Sequence, residues 1–147
     1  MTIKTQTKDE SSLAQAYAQL ESIKEMVEAL EHANQAKEHE RSTNAWAASE
    51  EAAQAIHESA LDVQVRSGWV DPGGVISSVR MEAQEYRILL SWGDPAVRIV
   101  GSLNFSSEPV TATLEHQNWG TPWTDAPIKR EDEETLLTYA NQFYFGG

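Results

Sequence analysis

Cysteine is missing from all 147 residues, which excludes disulfides, thiolate catalysis and every Cys-ligated zinc or iron–sulfur site. Long apolar runs are missing too, since none approaches the roughly 20 residues a helix needs to cross a bilayer. Basic side chains are few: 11 Lys and Arg stand against 23 Asp and Glu, and the formal charge of −12 repels phosphate backbones and anionic lipid. Direct binding to nucleic acid or to a membrane surface is therefore disfavoured. Met1 to Asp9 carry no apolar signal-peptide core, so a cytoplasmic protein is expected. What remains is ordinary: 40% hydrophobic and 23% charged residues over a length of about one domain.

Helical periodicity governs residues 1–60. Leu13, Ala16, Leu20, Ile23, Val27 and Leu30 recur at spacings of three and four, placing them on one stripe of a helix from about Ser11 to about His39. Asn34 continues this heptad pattern as a polar residue able to fix the register of paired helices. A second, Ala-rich helix is expected from Thr43 to Glu58, with Trp46, Ala53, Ile56 and Ala60 as contacts. The stripe is narrow and suits a helix partner better than a sheet. Two readings follow: a helical hairpin within the chain, or a homodimer through a coiled-coil seam at Leu20, Ile23, Val27 and Leu30.

After Ala60 the period changes to alternation. Leu61 to Ser67, Tyr86 to Trp92, Ala96 to Leu103 and Val110 to His116 read as strands, separated by breaks rich in Gly, Pro and Asn. Short connections favour antiparallel neighbours, hence a four-stranded meander. Asn118 to Pro127 reads as a long aromatic loop. Glu131 to Tyr144 reads as a helix whose acidic first turn suits the positive end of its dipole. The fold class expected is α+β, a four-stranded antiparallel sheet with a C-terminal helix (61–147) preceded by two helices (1–60).

Three segments, Val65 to Trp69, Glu85 to Gly101 and Leu114 to Thr124, resemble an uncharacterised family of small proteins encoded by phages, prophages and other mobile elements. The resemblance covers residues 61–147 and implies a genetic setting, not a reaction. In such settings small acidic proteins often inhibit host defence, as anti-CRISPR proteins do. The partner it implies is a host protein such as a nucleic-acid-binding defence complex.

No catalytic spacing emerges. His32, His39, His57 and His116 include no zinc-protease pair, no Gly-x-Ser-x-Gly elbow occurs, and the glycines form neither a Walker loop nor a dinucleotide fingerprint. Neither metal nor cofactor is expected, and a non-enzymatic interaction protein is the leading reading. Glu82 and Glu85, or Glu115 and Asp125, are carboxylate pairs able to approach one another.

Tryptophan placement is the most distinctive pattern. Trp69, Trp92, Trp119 and Trp123 sit at or beside Gly- or Pro-containing breaks, and a meander brings such breaks to a common sheet end. Large rigid aromatics there serve as anchors for a protein partner or a stacked ligand, or else plug the end of the sheet. The expected partner-binding residues are Trp69, Trp92, Asp94, Trp119, Gly120, Thr121, Pro122 and Trp123. To these is added an acidic flank of the first helix, Glu21, Glu25 and Glu28, as a substitute for phosphates. The charge of −12 is divided equally between residues 1–60 and 61–147, so acidity belongs to the folded surface and not to a tail. Alternative readings are a small-ligand binder or sequestering protein using the tryptophan end, and a phage assembly or regulatory component held by the coiled coil.

Overall fold

The computed structural model describes residues 8–40, 43–67 and 83–145. The first helix, α1, runs Lys8–Glu40, and the second, α2, runs Thr43–Ser59. No glycine or proline interrupts either, which leaves hydrophobic spacing to decide which face is buried. On α1 that face is Ser12, Ala16, Leu20, Ile23, Val27, Leu30 and Ala33. The hairpin is antiparallel: Ser49 Oγ donates to Asn34 Oδ1 at 2.6 Å, and Lys37 Nζ lies 3.9 Å from the Trp46 ring centroid. Asn34 thus finds its polar partner inside the same chain. Ile56 reaches the core, whereas Trp46 makes its inter-helix contact at the rim, 51% exposed beneath Lys37 of α1.

Among the described residues five strands follow instead of four: β1 Asp62–Ser67, β2 Ala83–Ser91, β3 Ala96–Ser102, β4 Thr113–Gln117 and β5 Thr124–Asp125. They pair antiparallel in chain order. β5 lies within the segment expected to be an aromatic loop, and two residues are too few to display any alternation. The last helix, α3, spans Arg130–Ala140.

Alternation separates the two faces of the sheet. Tyr86, Ile88, Val97, Ile99, Leu114 and His116 turn inward to the helices. Gly101 has the same parity, and here a side chain is excluded by space: a Cβ would stand 2.0 Å from the Thr111 carbonyl oxygen and 2.7 Å from Tyr86 Cε1. That close approach lets the Tyr86 hydroxyl donate to Thr111 O at 2.6 Å.

The hydrophobic core is a single cluster that joins α1 and α2 to the sheet and α3. Leu20, Ile23, Val27 and Leu30, the residues of the expected oligomer seam, are 0–4% exposed within one chain, so here the stripe packs into the chain's own core. The stripe also meets more than a helix partner, because α1 packs against α2, α3, β3 and β4.

Candidate functional site

The helices occupy one side of the sheet, and among the described residues no element covers the other. β2 and β3 turn Arg87, Leu89, Arg98 and Val100 to this open face, β1 contributes Asp62, Gln64 and Arg66, and β4 contributes Thr113, Glu115 and Gln117. Register sets the charge pairs. Arg98 faces Glu115 directly across β3 and β4, and its Nε donates to Glu115 Oε1 at 2.7 Å. Arg66 faces Glu85 across β1 and β2 and pairs with it. Arg87 faces Gln64 and donates to its Oε1. Glu115 also stands opposite Asp125, so the two carboxylates expected to approach are cross-strand neighbours.

Trp123 projects over this face and stacks on Arg98, whose guanidinium carbon is 3.9 Å from the ring centroid. Arg98 is therefore held between a carboxylate and an aromatic face, a geometry that suits a planar cation. Two shallow cavities lie on the face, of about 520 and 490 Å³, and they meet at Gln64, Arg87 and Arg98. The second is walled by Trp92 and Trp123.

One end of the sheet collects the tryptophan-bearing breaks. The β2–β3 turn, with Gly93 at φ 109° and a cis Asp94–Pro95 peptide, lies against the β4–β5 turn, and Trp119 N donates to Asp94 Oδ1 at 3.2 Å. Gly120 at φ 84° provides the left-handed residue that the second turn needs. Thr121 ties that turn down: its N and Oγ1 both donate to Asn118 O, at 3.1 and 2.8 Å, and its O accepts from Gln117 Nε2 at 2.7 Å. Backbone and threonine bonds fix this loop, and Trp119 is left outside. Trp119 is 83% and Trp92 74% exposed, so neither plugs the sheet end nor packs on α3. Pro122 is exposed beside them, and Trp123 is half-buried. Trp69 lies outside the described residues.

The structure thus gathers Trp92, Asp94, Trp119, Gly120, Thr121, Pro122 and Trp123 at one end. It does not add the acidic flank to them. Glu21, Glu25 and Glu28 are exposed on α1, in the helical layer, and Glu21 is engaged with Lys24 at 3.2 Å. Lys24 in turn holds Asp132 at 3.0 Å at the start of α3; that hydrogen bond keeps the Asp132 carboxyl below the usual carboxylate range.

A buried polar group joins the layers on the other side of β4. Ser12 Oγ is 2.7 Å from His116 Nδ1 and accepts from Asn118 Nδ2 at 3.1 Å, with all three residues under 5% exposed. Sealed beneath α1, this cluster registers the helix on β4, and the serine is inaccessible to a substrate. Residues 104 positions apart meet here, beyond the reach of any local spacing rule. Arg87 and Arg98 also lie outside the expected site, because polar members of an alternating strand read as a solvated face. The signal available was the placement of Arg87 and Arg98 on strands that end beside tryptophan-bearing breaks.

Comparison of the chain with protein-family models, with curated proteins and with solved structures yields no match in any of the three.

Proposed function

We propose that the chain is a non-enzymatic recognition module that binds a partner protein through the tryptophan end of its sheet. The observation that carries this reading is the exposure of Trp92 and Trp119 on turns already fixed by other bonds. Burial of two large apolar surfaces is forgone within the fold, which is costly to solubility unless a partner covers them. Aromatic anchors on rigid turns lose little conformational entropy on binding, and interfaces concentrate their binding energy in such residues. In the mobile-element setting implied by the resemblance, the partner is a host protein. The acidic flank on α1 then serves long-range attraction to a basic partner, since it is in the other layer from the anchors.

The test is site-specific photocrosslinking in host lysate, with the reactive group at position 119 or, as a control, at Glu50 on the exposed side of α2. The reading expects one saturable adduct from position 119 that unlabelled wild-type protein competes away and the Trp92→Ala/Trp119→Ala variant does not. Equal competition by both proteins, or an adduct only from position 50, contradicts it.

A further inference from the structure

Three arginines occupy the open face, and the fold neutralises two of them. Arg66 is paired with Glu85 and Arg98 with Glu115, but Arg87 meets only the neutral amide oxygen of Gln64. Among the described residues no carboxylate is within ion-pair distance of Arg87. Among the described residues Arg87 is thus without a counter-charge, and its one side-chain hydrogen bond there leaves most of its N–H donors uncommitted.

Its surroundings are those of a small-molecule site. Leu89 lies opposite Arg98 and Arg87 opposite Val100, so the two guanidinium-bearing residues are diagonal neighbours across β2 and β3. The cavity they floor, about 490 Å³, has Trp92 and Trp123 as walls and Leu89 in its base. That volume is within the roughly 300–1,000 Å³ of ligand pockets, and flat apolar walls with a few converging polar groups are their usual lining. Asp62 on the β1 side of the same cavity opposes a second negative charge on the ligand.

We infer that this trough binds a small planar aromatic monocarboxylate, its ring against the two indoles and its carboxylate on Arg87. A guanidinium meets a carboxylate through two parallel hydrogen bonds, which a neutral hydroxyl cannot reproduce. Trp92 serves both sites, but Trp119 does not line the cavity, so a change at position 119 separates the inference from partner recognition at the sheet end.

Calorimetric titration of the full chain with 1-naphthoate, and with neutral 1-naphthylmethanol of similar shape, tests it. The expected result is saturable 1:1 binding of naphthoate, about tenfold or more tighter than naphthylmethanol. Arg87→Gln should remove that preference while leaving naphthylmethanol binding and the melting temperature unchanged, and Arg87→Lys should retain part of it. Trp119→Ala should keep the naphthoate site even though it loses the partner, so failure at the trough is distinguished from failure at the sheet end. Absence of naphthoate binding, affinity no greater than that of naphthylmethanol, or a preference that survives Arg87→Gln would overturn the inference.

Discussion

Single residues in this protein divide into those that hold the fold and those that the fold displays. Gly101 is of the first kind. A methyl group there meets backbone at 2.0 Å, and backbone does not rotate aside, so Gly101→Ala should cost about 2–3 kcal/mol in denaturant unfolding, the upper range for overpacking a core. Ser12 is another. Ser12→Ala strands the buried polar groups of His116 and Asn118 and should destabilise by about 1–3 kcal/mol, whereas Glu50→Ala on exposed α2 should stay within about 0.5 kcal/mol. Trp92 and Trp119 are of the second kind: their replacement by Ala should alter stability as little as an ordinary surface change does. Tryptophan spacing in the sequence pointed to this cluster, yet exposure had to come from the structure, because the bonds of Thr121 and Asp94 that free the indoles from a packing role involve common polar residues.

At the level of elements, periodicity made most of the architecture legible. A stripe at spacings of three and four marks the first helix, Ala-rich composition the second, and alternation β1 to β4. Two features escaped it. β5 is shorter than one period of alternation, and the Leu20–Leu30 stripe carries no mark that distinguishes a chain's own core from a second helix. Burial of the stripe within one chain sets a mutational outcome. Ile23→Asp with Val27→Asp should unfold the protein and not merely dissociate it, since each places an unpaired carboxylate in the core at a cost of several kcal/mol. Circular dichroism alongside light scattering separates these results: a folded, monomeric double variant would show that the stripe is not core.

The junction between α1 and α3 adds a pH dependence. Asp132 titrates below its ordinary range because Lys24 donates to it. Its contribution to stability is therefore complete above the unfolded-state value, about 3.9, and is lost as pH falls through the folded one. Tyr86 acts at the opposite extreme. Burial, reinforced by Glu133, pushes its phenol well above the usual range, so stability should hold below about pH 10 and decline above it. In unfolding measured against pH, Asp132→Asn should flatten the acid limb and Tyr86→Phe the alkaline limb. Unchanged limbs would remove these groups from the linkage.

For the molecule as a whole, the two layers carry different surfaces. The helical layer bears the acidic flank of Glu21, Glu25 and Glu28, and the sheet layer bears arginines and tryptophans. On the proposed reading, charge governs approach to the partner and aromatics govern retention. Reversing the three glutamates to Lys should slow association with a basic partner at about 0.1 M salt and have little effect near 1 M, where the screening length shrinks to about 3 Å. Dissociation rates should barely change. A salt-independent association rate would confine the acidic surface to a solubility role.

Comparison of stability and partner affinity in the Trp92→Ala/Trp119→Ala variant tests the central claim most directly, with the crosslinked partner as ligand. Exposed anchors predict an unfolding free energy within about 1 kcal/mol of wild type together with an affinity loss of about 2 kcal/mol or more. A variant that melts early but binds its partner undiminished would contradict the account.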